Sequence, residues 1–210
     1  MSTGTALAII AAAYLVGSIP WSYLIVRLRQ GMDIRAVGSG NVGATNVLRT
    51  AGKGAGIVAL LLDAGKGVAV VLVTRALDAP AYVVCVSAVA VVLGHVFPVF
   101  LRFRGGKGVA TAAGALGALA PVVLALSLLG FVVIVLWKRY VSLGSILAAA
   151  LFPVFAWIGS RLGWVRHEGA WVVLSSAAIA AVVLARHASN LRRLLKGTER
   201  RLGEPRSIRQ

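Results

Sequence analysis

The sequence predicts an all-α protein that crosses a membrane several times, and three observations support this fold class. Hydrophobic residues fill 59% of the 210 positions and charged residues only 13%, against about 25% charged residues in ordinary soluble domains. The apolar residues form runs of roughly the length that a bilayer requires. The 22 lysines and arginines, which outnumber the 6 acidic residues, lie mostly at the ends of these runs. This composition excludes a soluble enzyme, a disordered chain and, with one cysteine, a disulfide-stabilised scaffold.

The apolar runs define the predicted spans, since about 20 helical residues cross the hydrocarbon core. They are Ala6–Val26, Gly54–Thr74, Ala79–Phe100, Val109–Trp137, Leu143–Gly159 and Ala170–Ala185. The first run lacks a basic leader and is too long for the core of a signal peptide, so we interpret it as a span. The fourth run is too long for one helix and too short for two full ones. Pro121 lies inside it, and proline usually ends or kinks a helix.

The distribution of lysine and arginine favours dividing the fourth run into two short helices. The basic loops and the tail from Arg186 to Arg209 then share the cytoplasmic side, while Arg75, Arg161 and Arg166 lie outside. A single helix would place the tail charges opposite the first two basic loops. We therefore predict seven transmembrane helices in one domain, residues 1–210, with the N-terminus outside and the C-terminus in the cytoplasm.

The net charge of +16 would suggest nucleic-acid binding in a soluble protein. Here the basic residues suit the positive-inside rule and anionic lipid headgroups, and no basic and aromatic platform for bases is visible. We expect membrane lipids as partners and no nucleic acid. After Ala185 the tail is predicted to be a basic amphipathic helix on the cytoplasmic surface, with Leu191, Leu194 and Leu195 facing lipid.

A first polar stretch, residues 38–46, reads Gly-Ser-Gly-Asn-Val-Gly-Ala-Thr-Asn. Glycines let backbone N–H groups converge on an anion, and Arg49 adds a countercharge. A turn between helices uses the same residue types, but it needs fewer of them. The stretch lacks the pattern of a P-loop. Its candidate substrate ligands are Gly38, Ser39, Gly40, Asn41, Gly43, Thr45 and Asn46.

A second stretch, Gly105-Gly106-Lys107-Gly108, precedes the fourth predicted span. Free N–H groups at a helix start, together with the Lys107 ammonium, suit a phosphate or a developing oxyanion. The nearby Arg102 and Arg104 are better explained as a positive-inside loop. His95, one turn before Pro98, is interpreted as a histidine that forms a hydrogen bond at the helix end.

Three further pairs of polar residues stand out. His187 and Asn190 are three positions apart and share a helix face, which suggests contact with a substrate. Ser142 and Ser145 begin the sixth predicted helix, with Ser142 as its expected N-cap. Asp63 and Lys66 lie inside the second span, where ionisable residues are often functional, but we favour a pair that neutralises itself.

The chemistry that the sequence lacks is also informative. No Cys, His and carboxylate cluster has metal-ligand spacing, so no metal or cofactor is predicted, and no paired carboxylates or nucleophile elbow occur. What remains is two glycine-rich loops, with Arg49 and Lys107, and the His187 and Asn190 pair. These groups suit two phosphate-bearing molecules held at the inner membrane edge, where positioning and charge neutralisation provide catalysis.

At these three stretches the sequence resembles the bacterial acyl-phosphate:glycerol-3-phosphate acyltransferase family. The motif Gly17-Ser18-Ile19-Pro20, the segment from Ser142 to Ser145 and the tail residues Gly197-Thr198-Glu199 share the resemblance, which runs over nearly the whole chain. It implies a seven-helix enzyme of the bacterial plasma (inner) membrane with its active site facing the cytoplasm. The enzyme would transfer an acyl group from long-chain acyl phosphate to the 1-hydroxyl of glycerol 3-phosphate, yielding lysophosphatidic acid and phosphate. The enzyme that supplies acyl phosphate is a further expected partner.

The resemblance implies a set of catalytic and substrate-binding residues. The catalytic ones are Ser39, Arg49, Lys107, His187 and Asn190, and the binding ones add Gly105, Gly106, Ser142 and Ser145 to the first loop. We expect Lys107 to stabilise the tetrahedral oxyanion, and His187 with Asn190 to orient glycerol 3-phosphate. The proton acceptor is either His187 or a substrate phosphate. The alternative function is an anion transporter for phosphate or glycerol 3-phosphate, which the missing internal repeat disfavours.

Overall fold

The computed structural model describes residues 1–165 and 169–204, and within these ranges it contains helices and no strand. The α-helices are α1 (Thr3–Ser18), α2 (Trp21–Gln30), α3 (Ala44–Ala51), α4 (Lys53–Ala76), α5 (Ala81–Val96), α6 (Val109–Leu119), α7 (Pro121–Lys138), α8 (Val141–Arg161), α9 (Gly169–Arg186) and α10 (Ala188–Leu195). Short 3-10 turns lie at Ile34–Ala36 and Val99–Leu101. The all-α prediction is confirmed for this part of the chain. Arg166, Arg206 and Arg209, which entered the topology argument, lie outside the described residues.

Among the residues that the structure describes, six segments are long and apolar enough to cross a membrane. They are Thr3–Gln30, Lys53–Ala76, Ala81–Leu101, Pro121–Lys138, Val141–Arg161 and Gly169–Arg186. The predicted division of the fourth run at Pro121 is confirmed. Only its first half is short, however, because α6 has 11 residues, which rise about 17 Å, whereas α7 has the length of a full span.

The break before Pro121 has a local cause. Ala120 is buried, and its backbone, with φ −146°, is not helical. Pro121 occupies the first position of α7. A residue at this position makes no N–H hydrogen bond within the helix, so proline, which has no N–H, is tolerated there. Short α6 packs tightly along α4, since a Cβ on Gly114 would lie 2.0 Å from the carbonyl oxygen of Ala64. At the far end, Arg75 donates to the carbonyl of Ala118 at 2.7 Å, which ties the C-terminal ends of α4 and α6 together.

Helix α5 lies at the centre of the bundle and supplies much of its valine-rich core. It meets α1 at glycines, because a Cβ on Gly17 would lie 2.1 Å from the carbonyl oxygen of Val91. Small residues of this kind allow two helix backbones to approach closely in a membrane protein. By contrast, α7 buries only Val123 and Ser127. One side of α7, including Phe131, lines a cavity, while Leu129 and Leu136 are exposed, as expected for contact with lipid.

The Asp63 and Lys66 pair is observed as a buried ion pair at 2.9 Å, and it also fastens three helices. Lys66 donates to the carbonyls of Gly17 and Ile19 at 2.9 and 3.0 Å, which the break between α1 and α2 leaves without helical partners. His95 Nδ1 lies 3.1 Å from Lys66 Nζ. The interpretation of His95 as a histidine that forms a hydrogen bond at the helix end is confirmed, and its partner is Lys66 of this ion pair.

Candidate active site

A single large cavity of about 1790 Å³ brings the predicted site residues together. It is lined by Arg49 from α3, Lys107 before α6, and His187 and Asn190 beside α10. Every predicted catalytic and binding residue lines this cavity except Gly106. The three separate stretches of sequence thus meet in space, as the sequence predicts.

The first glycine loop is held by one side chain. Asn46 is 1% exposed, and its amide nitrogen donates to the carbonyls of Ile34, Val37 and Asn41 at 3.1–3.2 Å. Its oxygen accepts the N–H of Ser39 at 2.9 Å. Both polar atoms of its side chain therefore have partners inside the loop. Asn46 organises this loop, and its contact with substrate stays a prediction.

The conformation of the loop leaves donors at its end. Gly38 and Gly40 adopt φ of +63° and +70°, a region that glycine enters without the steric cost of a Cβ. Gly43 caps α3 without a side-chain hydrogen bond, and the residues from Gly43 to Thr45 line the cavity. The first N–H groups of α3 therefore lie at the cavity wall without a side-chain cap, an arrangement that suits an anion.

Arg49 lies at the cavity one turn beyond these N–H groups. Partial burial and the neighbouring Arg200 hold the pKa of Arg49 below its usual value, while Glu199 opposes the shift. A guanidinium stays protonated at any physiological pH. Arg49 thus presents a permanent positive charge to whatever binds at the start of α3.

The second glycine loop differs from the prediction. The N–H of Gly105 donates to Val96 O and that of Gly106 to His95 O, both at 3.2 Å. These two N–H groups are thus bonded to the end of α5 and are not free, contrary to the expectation from sequence. Arg186 donates to the carbonyls of both glycines at 3.3 and 3.4 Å. Gly105 and Gly106 therefore have a structural role, and their contact with substrate stays a prediction, while the start of α6 after Gly108 remains open to the cavity.

Glu199 connects the polar side chains at the other side of the cavity, although it is not among the site residues predicted from the sequence. Lys107 donates to Asn190 Oδ1, and Asn190 Nδ2 donates to Glu199 at 2.6 Å. Ser142 and Arg193 donate to the same carboxylate, each at 2.7 Å. Partial burial raises the pKa of Glu199, but these hydrogen bonds outweigh it and hold the pKa below its ordinary value. The sequence feature that could have indicated a role for Glu199 is its place in the Gly197-Thr198-Glu199 motif.

This network changes the expected role of two residues. Both polar atoms of Asn190 have protein partners, so Asn190 holds Lys107 in place, whereas the sequence predicted contact with substrate. Ser142 donates to Glu199 and is not the N-cap of α8, a position that Tyr140 occupies. Ser145 lines the cavity, but its hydroxyl donates to Val141 O at 2.9 Å within its own helix.

The segment after α10 folds back across the mouth of the cavity. The N–H of Leu202 donates to Arg139 O at 2.6 Å, and the guanidinium of Arg139 returns a hydrogen bond to Leu202 O at 2.7 Å. This reciprocal contact joins the tail to the turn between α7 and α8. It therefore keeps Glu199 beside Ser142, although the two residues lie 57 positions apart.

Lys107 and His187 have lowered pKa values for a shared reason. Burial, with the added repulsion of Arg193 and other cations, lowers the pKa of Lys107 to about 8, so the ammonium form still dominates at neutral pH. Burial lowers the pKa of His187 to about 4, and the charge on Lys107 adds to this effect. His187 Nδ1 lies 2.8 Å from Val183 O. Because a carbonyl only accepts, Nδ1 carries the proton and Nε2 is the free acceptor.

Away from these charges the cavity becomes apolar. Its deeper wall is formed by Leu60, Leu116, Leu128, Phe131, Phe152 and Ile179. A cationic end joined to an apolar branch fits an amphiphile with an anionic head. Among the described residues, no group of three or more His, Cys, Asp or Glu side chains could hold a metal ion.

Comparison with known proteins gives concordant matches. The model of the family described as glycerol-3-phosphate acyltransferase matches residues 7–197. A glycerol-3-phosphate acyltransferase of Desulforamulus reducens is 44% identical over 200 residues, covering 95% of this chain and 96% of that protein. Glycerol-3-phosphate acyltransferase 2 of Moorella thermoacetica is 48% identical over 196 residues, covering 93% and 96%.

Two solved structures have the same fold. Both are of PlsY (YgiH), an integral membrane glycerol 3-phosphate acyltransferase. The glycerol 3-phosphate form is 42% identical with a TM-score of 0.85, covering 95% of this chain and 96% of that one. The lysophosphatidic acid form is 40% identical with a TM-score of 0.82 and the same coverage.

Proposed function

The chain belongs to the glycerol-3-phosphate acyltransferase family, and we propose that it acylates the 1-hydroxyl of sn-glycerol 3-phosphate to make lysophosphatidic acid. The observation that carries this proposal is the single cavity that holds Arg49, Lys107 and His187 beside an apolar branch. The polar end suits glycerol 3-phosphate and the branch suits an acyl chain. The likeness to structures of PlsY in glycerol 3-phosphate and lysophosphatidic acid forms supports the same assignment.

The donor in this proposal is a long-chain acyl phosphate. In support of this donor, two helix starts line the cavity without a side-chain cap, that of α3 with Arg49 and that of α6 with Lys107. Two helix N-termini, each with a cation, suit two phosphate-bearing reactants. An acyl phosphate carries its single phosphate directly on the acyl carbon, so both reactants fit these sites without a bulky carrier.

In the proposed reaction the 1-hydroxyl oxygen bonds to the acyl carbonyl carbon. The carbon–oxygen bond to the phosphate then breaks, inorganic phosphate leaves, and the hydroxyl proton passes to a base. Lys107 neutralises the charge that develops on the carbonyl oxygen and the leaving phosphate. Ser39, with its exposed hydroxyl at the cavity, contributes a donor to the phosphate at α3.

The proposed proton acceptor is a substrate phosphate. His187 is a weak base because burial lowers its pKa to about 4. The second pKa of a phosphate ester is near 6, so at neutral pH the phosphate accepts a proton more readily. His187 instead uses its free Nε2 to accept a hydrogen bond from glycerol 3-phosphate and so to orient it.

The proposed topology keeps seven passes, with the N-terminus outside and the C-terminus and active site on the cytoplasmic side of a bacterial plasma membrane. The fourth pass is the short helix α6, which ends beside Arg75 at the far end of α4. The basic residues around the site favour the cytoplasmic side, where an enzyme that supplies acyl phosphate would deliver its product.

The test uses the purified full-length protein reconstituted in lipid vesicles. Glycerol 3-phosphate is offered with palmitoyl phosphate or with palmitoyl-CoA in separate reactions, and lysophosphatidic acid and phosphate are quantified. Product from acyl phosphate alone supports the proposal, and product from acyl-CoA alone contradicts the donor. Uptake of glycerol 3-phosphate into sealed vesicles without any product would support the transporter in its place.

A further inference from the structure

One group of buried ionisable residues is not used by the proposed reaction. Asp63, Lys66 and His95, which we call the buried charge cluster, are 1%, 6% and 7% exposed. The Lys66 ammonium is held by Asp63 at 2.9 Å and by two carbonyls of the α1 end. Asp63 and His95 nevertheless reach the wall of the large cavity. The cluster therefore lies between the helix bundle and the site.

The ring of His95 has contacts on two opposite sides. Its Nδ1 lies 3.1 Å from Lys66 Nζ and 3.4 Å from Asp63 Oδ1. On the other side, its Nε2 faces Gly106, where an added Cβ would lie only 2.2 Å away. The same Cβ would lie 2.4 Å from the carbonyl oxygen of Val42 in the first glycine loop. The His95 ring is thus the point where the cluster and both glycine loops meet.

Gly106 is fixed from several directions. Its N–H donates to His95 O, its carbonyl accepts from Arg186, and its Cα has no free space between the His95 ring and Val42. Lys107 follows directly along the chain. Any movement of Gly106 toward the space that the ring occupies would therefore move Lys107 relative to Arg49 on the other loop.

We propose that His95 is a positioning residue that sets the place of Lys107 through the contact of its ring edge with Gly106. The Asp63 and Lys66 pair holds the ring in the orientation that makes this contact. The inference rests on the function proposed above in that Lys107 acts on the reacting groups. A simpler role, in which His95 only offers Lys66 an acceptor, makes the opposite prediction for two matched variants.

The variants are His95→Asn and His95→Gln, both neutral and polar. Asparagine places a polar atom near the position of Nδ1, so it keeps an acceptor for Lys66 and loses the bulk against Gly106. Glutamine reaches the position of Nε2, so it keeps the bulk against Gly106 and weakens the contact with Lys66. Each variant thus keeps one of the two contacts of the ring and removes or weakens the other.

The first measurement is steady-state turnover of acyl phosphate and glycerol 3-phosphate in vesicles, with the thermal unfolding midpoint of each protein. We expect His95→Asn to lower kcat about ten-fold with KM values within about three-fold and an unfolding midpoint near that of the parent. We expect His95→Gln to keep kcat within about three-fold and to lower the midpoint. The reverse order, or equal losses of kcat, would overturn the proposal.

The second measurement needs no substrate and so does not depend on the proposed function. Hydrogen–deuterium exchange of the peptide spanning residues 105–108 reports on the N–H groups bonded to α5. We expect exchange at least about ten-fold faster in His95→Asn and within about three-fold of the parent in His95→Gln. Unchanged exchange in His95→Asn would overturn the inference, whether or not the parent protein shows transferase activity.

Discussion

The two glycine-rich loops have similar compositions, but they use glycine for different purposes. In residues 38–46, Gly38 and Gly40 provide positive φ and Asn46 satisfies the interior of the loop, so the N–H groups at the start of α3 face the cavity. In residues 105–108, the N–H groups of Gly105 and Gly106 are bonded to α5, and the missing Cβ allows close contact with protein atoms. A glycine-rich sequence indicates that other atoms come close to its backbone. Whether those atoms belong to a ligand or to the protein depends on the neighbouring backbone.

The largest expected effect tests the packing role of the second loop. Gly106→Ala would place a Cβ 2.4 Å from a backbone carbonyl, which cannot move aside as a side-chain end can. We expect activity to fall at least about 100-fold. The matched control is Gly65→Ala on the exposed face of α4, where the Cβ meets nothing within 4 Å. Parent-like turnover of Gly106→Ala would show that the contact is loose.

The next effect tests how the first loop is held. Asn46→Ala would remove four hydrogen bonds of the loop. Ile34 O and Val37 O keep backbone partners, whereas Asn41 O and the N–H of Ser39 lose theirs, at about 1–3 kcal/mol for each group that stays buried. We expect KM for glycerol 3-phosphate to rise about 30-fold and the unfolding midpoint to fall. Gln30→Ala is the control, since it removes one exposed amide hydrogen bond to Thr50 O. If both variants behave alike, the loop does not depend on Asn46.

A smaller effect tests the cation of the first loop. Arg49→Lys keeps the charge but removes the planar guanidinium that bonds a phosphate in two places, so we expect kcat/KM to fall about ten-fold. Arg192→Lys, on the exposed surface of α10, is the matched control and should leave kcat/KM unchanged. Equal kcat/KM for Arg49→Lys and the parent would remove Arg49 from the site.

The smallest expected effect is a pH dependence of activity that arises from Lys107, the cation of the second loop, and not from Arg49. Lys107 acts as the ammonium, and its pKa is lowered to about 8, so activity is retained below this pH and lost above it. We expect kcat/KM, which reports the free enzyme, to halve near pH 8 and then to fall about ten-fold per pH unit. In Lys107→Arg the alkaline fall should disappear, since a guanidinium stays charged, although the rate at pH 7 is lower. A flat profile for the parent protein up to pH 9.5 would contradict this.

The sequence predicted the broad features because they depend on composition and local order. Long apolar runs predicted the spans, Pro121 predicted the division of the fourth run, and glycine and polar residues marked the two loops. The length of α7 was mistaken, because its apolar run was counted together with α6. The seven-span count depends on whether the short helix α6 crosses the membrane, which hydropathy does not report.

The errors within the site concern contacts between distant parts of the chain. The N–H groups of Gly105 and Gly106 were expected to be free because the sequence does not place the end of α5 beside them. Glu199 was passed over because its partner Ser142 lies 57 positions away. The inward contacts of Asn46 were not predicted, because a polar side chain in a glycine loop has the same appearance in sequence whether it faces inward or outward.

The placement of Asp63 and Lys66 on one helix has a consequence for biogenesis. Each charge alone would cost about 2.5–3.5 kcal/mol at the middle of a helix leaving the translocon. Because the two lie one turn apart and form an ion pair, the middle of α4 carries no net charge and needs no counterion from another helix to enter the bilayer. Separating the pair onto two helices would make insertion of each depend on the other.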